Sequence, residues 1–523
     1  MKSLRFLRRD FLKTCGVGAM ALTSHRWAPR FLQSLHAQTT APQETETRSH
    51  GAERSRTAVA EDVGAWVEKL RYEDLPPRIV EKAKRVLLDT VGCALGAVDA
   101  APVRFAQQTV FFQGGNPQAT LIGLGRKVSC DQAAFLNGMA IRYLDYNDYA
   151  ALGDPNHCSI NVAPALAVAE MRGLTGRDLL LGITVGYEVQ LRLRDAITGG
   201  PLGRGWDVGT ITTNYASAAT AAKLLGLNAV QIANAMAIAG AHGNTLGEVR
   251  GGALLSGGEM TPSKGTADPM SARAGTFAAL LAQQGLSYPV TILEGVYGFG
   301  KKVTGALRED ILRQRTGDFQ ILKSCTKMWP CFMYGQAPIA AALEIHKRNV
   351  KTAEIQSITV PLSEYAYENQ QDYKGEITAR EHADHSIPYV VARALLDGDV
   401  QADDFEPSRF REPRAIELVQ KVTLRSEPSL TSANREAAGA HIEVKLRSGT
   451  VLRAEVPHPP GSMQNPPTDQ MLAGKFLNLS EPVLGRVRAE KAIEVILRVD
   501  SLANLRELVE AVSSPARSGR ASG

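Results

Sequence analysis

Between about residues 58 and 315 the chain is a succession of apolar runs with helical spacing, and many of their apolar positions are alanine or glycine. VGAWVEKL and IVEKAKRVLLDTVGCALGAV repeat apolar residues at three and four positions, the pattern of one helical face. PALAVAEMRG, DLLLGITVGYEVQLRL, YASAATAAKLLGL, AVQIANAMAIAGAHG and GTFAALLAQQGL continue in the same manner. Small side chains let helices approach closely, and helices that are apolar all round belong inside a bundle. Thr175 and Asn228 stand at helix starts, and Gly226 and Gly285 at helix stops. Asp178 falls in a first turn, where negative charge is favoured.

The texture changes after about residue 320. SITVPLSEYAY alternates like a strand, VTLRSEPSL is a shorter candidate, and HIEVKLRSGTVLRAEVP reads as a hairpin turning at Arg447-Ser448-Gly449. A helix from Ser386 to Asp397 lies between them, which makes a small α+β domain. PPGSMQNPPTD (459–469) is a Pro-rich exit, and the helices that follow are expected to return to the large body. At 523 residues the chain is too long for one ordinary core.

The first forty residues read as an address. Arg8 and Arg9, then Phe11, Leu12 and Lys13, then a weakly apolar run from Cys15 to Leu22 match a twin-arginine export signal, with Ala37 before the cleavage point. That order predicts a periplasmic or secreted protein handled by the twin-arginine translocase, or a cytoplasmic one where the leader does not function. Its apolar run is far shorter than the ~20 residues a bilayer needs, so no membrane span is expected. Residues 38–56 have the composition of a disordered linker. Six cysteines, at 15, 93, 130, 158, 325 and 331, lack the spacing of a disulfide framework or a CxxC metal site. Lys and Arg outnumber Asp and Glu by 59 to 54, with no basic block, which argues against a nucleic-acid partner.

The chemistry concentrates in NGMAIRYLDYNDYAALGDPNHCSINVAPALAVAEMRG (137–173), where Asp145, Asn147, Asp148, Tyr149 and His157 sit between two apolar helical runs. Connectors held by a rigid scaffold are where binding and proton-transfer groups gather. Three other readings of this stretch stand beside that one. It is also compatible with a polar helix–helix loop, with an oxygen-rich cation site using Asp145, Asn147, Asp148, Asp154 and His157, and with a thiol nucleophile at Cys158.

The chain resembles the 2-methylcitrate dehydratase (MmgE/PrpD) superfamily over roughly residues 58–512. The match rests on LLDTVGCALGA (87–97), the DYND…H core (145–157), GYEVQLRL (186–193), LEGVYGFG (293–300), the Lys327…Pro330 pair and EHADHSIPYVVARALLDG (381–398). The resemblance implies a multidomain α and α+β protein, in which a large all-α domain built from both chain ends carries an inserted, smaller α+β lid. The expected divisions are a signal at 1–37, a linker at 38–56, the helical domain at 57–322, the lid at 323–464, returning helices at 465–512 and a disordered tail at 513–523. It also implies a homodimer, a cleft between the domains, and action on small di- or tricarboxylates without a metal or organic cofactor.

By the same resemblance Asp145, His157, Lys264, Lys327 and Tyr149 are catalytic candidates, with His157 a proton donor or acceptor. Arg142, Asp207 and Tyr365 (or Tyr367, two residues on) are candidates for substrate binding. Lysines suit the role because a carboxylate gains ~1.5–3 kcal/mol from each charge-assisted hydrogen bond. His157 also reads as a helix cap, Lys264 and Lys327 as solvated surface lysines, and His385 as a structural residue at a helix start beside Ser386. The chain departs from decarboxylase-like members at Asp207 and Phe332, where they carry histidine, and at Tyr149, where they carry a small residue. The expected activity is a lyase reaction by proton transfer beside a carboxylate, dehydration or β-elimination first, with epimerisation or decarboxylation as alternatives. A catalytically silent carboxylate-binding protein is the alternative of another class.

Overall fold

The computed structural model describes residues 57–151, 156–249, 259–314, 317–371, 376–430 and 439–514; the proposed signal, the linker and most of the tail lie outside the described residues. The chain is mostly helical, with one small mixed sheet in its C-terminal region. Its principal helices are α1 (Val59–Lys69), α2 (Pro77–Ala97), α3 (Cys130–Tyr143), α4 (Val162–Arg172), α5 (Gly176–Ala196), α6 (Thr210–Leu224), α7 (Ala229–His242), α8 (Ser263–Gln283), α9 (Gln336–His346), α10 (Ile387–Asp397), α11 (Asp469–Leu484) and α12 (Arg486–Leu497).

Helices α1–α8 share one buried core with α11 and α12, so the last segment packs with the first. The alanine and glycine content makes this possible. A Cβ on Gly275 of α8 would stand 2.4 Å from the carbonyl of Asn214 in α6, so only glycine lets the two backbones cross there. Helix starts follow local chemistry: Thr175 accepts from Asp178 N at 3.2 Å and Asn228 from Gln231 N at 3.0 Å. Gly226 (φ +73°) and Gly285 (φ +94°) close the helices before them in the left-handed region. Among the described residues no single helix is long and apolar enough to cross a membrane.

The sheet has the order β2–β1–β3–β4, from β1 (Ile355–Leu362), β2 (Val422–Ser426), β3 (Ala440–Leu446) and β4 (Val451–Val456). β1 runs parallel to β2 and antiparallel to β3, and β3–β4 is the expected hairpin, with Ile442 opposite Ala454. The strand reading of SITVPLSEYAY needs correction at its second half. The strand ends at Leu362 and Glu364–Gln371 is helical, because Ser363 Oγ accepts the Ala366 amide (3.4 Å) and starts a turn. A second buried core joins the inner face of the sheet to α9 and α10. Ser386 caps α10 by accepting from Tyr389 N (3.4 Å), and Gly398 ends it at φ +74°.

The two cores meet at the DYND loop. Tyr146 belongs to the helical core, whereas Tyr149 and Ala151 belong to the sheet-side core. Tyr149–Ala150 pairs with Ser324–Cys325 in a short antiparallel ladder, which fixes the loop to the segment carrying Lys327.

Candidate active site

Helix α3 ends at Tyr143, and two residues later Asp145 takes φ +49°, a conformation that side chains other than Asn and Asp seldom adopt. The turn aims a carboxylate that is 2% exposed into three cations. Arg142 Nη1 bonds its Oδ1, Lys327 Nζ lies 2.8 Å from both Oδ1 and the Asp145 carbonyl, and Lys264 Nζ lies 3.0 Å from Oδ2. Burial alone would raise this carboxyl, yet Lys264, Lys327 and Arg142 together hold it well below the usual carboxylate range. Lys327 shifts down, because burial of its ammonium outweighs the attraction of Asp145.

Lys264, in the first turn of α8, ties this carboxylate to a second group from the far lobe. Its ammonium is 3.2 Å from Asp384 Oδ1 and 3.0 Å from His385 Nδ1, besides its bond to Asp145. His385 Nδ1 also touches Asp384 Oδ1, and His385 Nε2 stands 3.7 Å from Asp145 Oδ2. Burial and the neighbouring Lys264 push the imidazole below its ordinary value, so it is neutral at pH 7. Asp384 is lowered: burial opposes ionisation, but Lys264 and His385 outweigh it. Phe332 stacks on the imidazole with centroids 5.0 Å apart and planes at 28°.

Arg142 extends the network on the other side. Its Nη2 donates to His157 Nε2 (3.0 Å) and its Nε to Asp268 Oδ2 (3.1 Å). A guanidinium can only donate, so His157 carries its proton on Nδ1, which donates to the Asp148 carbonyl at 2.7 Å. Asp148 itself is an anchor of the loop: its carboxylate accepts from Ser159 N (3.1 Å), Tyr187 OH (2.6 Å) and Ser324 Oγ (3.1 Å).

The structure thus brings Asp145, His157, Lys264, Lys327 and Arg142 into one buried cluster. It places the other candidates differently. Tyr149 lies in the ladder with its ring in the sheet-side core and its hydroxyl on Cys325. Asp207 accepts from Thr210 N (2.9 Å) and caps α6. Tyr365 meets Tyr334 edge-on at 5.7 Å, and Tyr334 meets Phe332, which covers His385, at 5.9 Å.

Asp384 and Lys475 are cluster residues that sequence reasoning missed, and His385, which the sequence suggests as a structural residue, stands with them. Ser386 does cap α10, which is why EHADHS reads as a helix start. Nothing local shows that the two residues before the cap reach α8. Lys475, from α11, donates to the carbonyls of Tyr146 (2.8 Å) and Lys327 (2.9 Å) and pairs with Asp89 Oδ1 at 2.6 Å. The only sequence signal for that pair is an acid inside the apolar run LLDTVG.

The other readings of the loop also meet the geometry. Asp148 is engaged as above, Asn147 Nδ2 donates to Ser159 Oγ (2.9 Å), and Asp154 lies outside the described residues. Asp145, Asp384 and His385 are close enough together to ligate a cation, but the Lys264 ammonium lies within 3.2 Å of a donor atom on each of the three. Cys158 is fully buried, and burial drives its thiol well above the usual value, which leaves it without nucleophilic thiolate.

Comparison with known proteins accounts for both lobes. Residues 61–309 match the model of the MmgE/PrpD N-terminal domain, and residues 329–501 that of the MmgE/PrpD C-terminal domain. The chain belongs to the MmgE/PrpD family. The MmgE/PrpD chain is 23% identical over 500 residues to the cis-aconitate decarboxylase of Aspergillus terreus, covering 90% of this chain and 99% of that protein. It is 26% identical to the cis-aconitate decarboxylase of Homo sapiens (88% and 95% covered). It is 27% identical to the 2-methylcitrate dehydratase of Cupriavidus necator (73% and 81% covered). In this MmgE/PrpD protein the ionic cluster draws Arg142, Asp145, His157 and Lys264 from the first matched region and Asp384 and His385 from the second.

Proposed function

We propose that this protein is a cofactor-independent lyase that moves a proton at the carbon beside a carboxylate of a small di- or tricarboxylic acid, with dehydration by β-elimination as the reaction. The observation that supports this most is the Lys264 ammonium held at once by Asp145, Asp384 and His385. Removing a proton α to a carboxylate builds an enediolate with extra negative charge, so a site needs fixed cations and a neutral base together. Lys264 and Lys327 are the cations, and His385 is the base. Lys264 can only donate, so His385 Nδ1 faces it as an acceptor; when a substrate carboxylate takes up the Lys264 ammonium, Nδ1 carries its proton toward Asp384 and Nε2 presents a lone pair. The proton passes from the substrate carbon to Nε2, the double bond forms, and the imidazolium returns the proton to the departing hydroxyl, which leaves as water. His157 takes a different part from the one its sequence context suggests. Its Nε2 lone pair faces Arg142, so it orients the guanidinium that backs Asp145. The sheet-bearing lobe acts as a lid, since it delivers Asp384 and His385 to lysines of the helical body. The relatives' names carry the choice of acid: a tricarboxylate of the citrate or aconitate type.

The test is exchange of α-protons in D₂O, followed by NMR with citrate-type hydroxy acids and dicarboxylates. His385→Ala is expected to slow exchange by about 10²–10⁴-fold, the range of a positioned general base, while His157→Ala retains measurable exchange. The reverse pattern would return the proton-transfer role to His157. Tight binding without exchange in the wild type would favour the silent binding protein.

A further inference from the structure

Arg380 opens the helical turn Arg380–Ala383 and is nine-tenths buried. Its guanidinium lies over two rings, 5.2 Å from the centroid of Tyr143 and 5.4 Å from that of Phe405. Tyr143 packs on the helical core two residues before Asp145, and Phe405 belongs to the sheet-side core, so this cation spans the junction of the lobes. Nη1 donates to the Ala402 carbonyl at 3.0 Å and reaches Glu406 at 3.5 Å. Nε and Nη2 are buried and, among the described residues, have no hydrogen-bond partner.

Those two nitrogens share one edge of the guanidinium. Their N–H bonds run parallel at the spacing of the two oxygens of a carboxylate, which gives the bidentate geometry that makes arginine selective for that group. Native proteins leave few buried donors unmet, and a pair on one fork is completed by a single planar anion. The fork also stands beside the cluster. The Asp384 amide donates to the Arg380 carbonyl at 3.0 Å, which places the two side chains one helical turn apart on one face, and Asp384 bonds Lys264. Glu381, the next residue, is raised by burial and by Asp384, which weakens it as a competing anion.

We propose that the Nε/Nη2 edge of Arg380 binds a substrate carboxylate remote from the carbon at which His385 moves the proton, and so selects acids carrying more than one carboxylate. The inference rests on the carboxylic-acid reading above and extends it to a specificity residue. Lys264 and Lys327 hold the carboxylate next to the reacting carbon, and Arg380 holds the far one.

The experiment is calorimetric titration of the full-length protein with propane-1,2,3-tricarboxylate and with butyrate, for wild type, Arg380→Lys and Arg380→Gln. The lysine variant keeps the charge but loses the fork. It is expected to bind the tricarboxylate about tenfold more weakly, the size of one lost charge-assisted hydrogen bond, with the glutamine variant weaker still. Butyrate binding should be undetectable throughout or equal in all three proteins. Equal tricarboxylate affinity in wild type and Arg380→Lys would overturn the assignment, as would a matching loss for butyrate, which would mark a structural role. A wild type that binds neither acid would overturn the carboxylic-acid reading and this inference with it. Melting curves identify a misfolded variant, and Arg380→Lys, which retains a cation over both rings, carries the test if Arg380→Gln does not fold.

Discussion

Asp145 concentrates the electrostatics of the site in one side chain, and its contribution can be separated from its shape. Asparagine occupies the same volume and also tolerates positive φ, so Asp145→Asn preserves the turn and removes only the charge. Arg142, Lys264 and Lys327 would then face one another in a buried space with their shared counter-ion gone. Removing one partner of a buried ion pair costs about 3–5 kcal/mol, so urea denaturation should show a loss of that order. The double variant Asp145→Asn/Lys327→Met should recover part of it, because one of the stranded cations is then absent. Stability unchanged in the single variant would show that the cations do not depend on this carboxylate. Asp145 and His157 were legible as candidates because they sit in a polar break between apolar runs, and Lys264 and Lys327 only through the family resemblance. His385 was not, because its neighbour Ser386 explains the local pattern completely. A histidine that prepares a cap and one that touches a lysine 121 positions away look the same in one dimension.

At the scale of elements, α11 acts as a strut. It returns from the sheet-bearing lobe and packs on α2, where a Cβ on Gly92 would stand 3.1 Å from Phe476. Lys475 then crosses to the backbones that hold Tyr146 and Lys327, with Asp89 as its counter-ion. The exit segment adds a second clamp: Thr326 N donates to the Gly461 carbonyl (2.9 Å), and at φ +91° Gly461 lies so close that a Cβ would be 1.9 Å from the Thr326 carbonyl. Lys475→Met should destabilise the protein by about 3–5 kcal/mol, because Asp89 is left buried and unpaired. Lys475→Met/Asp89→Leu should be closer to wild type in stability yet still impaired in α-proton exchange, because the Tyr146 and Lys327 carbonyls lose the Lys475 donor. Full exchange activity in that stable double variant would reduce Lys475 to a packing residue. Helix content, the hairpin and the return of the last helices were readable from periodicity and turn chemistry. The register of α11 on α2 was not, since nothing in LLDTVG names the lysine that Asp89 meets.

For the whole molecule, placing these charges where two cores meet couples proton binding to the closed, folded form. His385 has a folded pKa below its unfolded value of about 6.5. The unfolded chain therefore binds a proton that the native state refuses as pH falls past 6.5, and stability declines from there until the folded value is passed. Asp145 and Asp384 are also depressed, from 3.8, so their contribution is intact above that pH and is lost only as acid protonates them in the native state. Two acid steps follow, an early one from the imidazole and a later one from the carboxylates. Denaturant midpoints measured from pH 8 down to pH 3 should fall in both ranges. His385→Gln should abolish the first step and leave the second, because glutamine takes no proton while the lysine-bound carboxylates stay in place. A first step that persists in His385→Gln would assign the early titration to another histidine and remove His385 from the acid-sensitive junction.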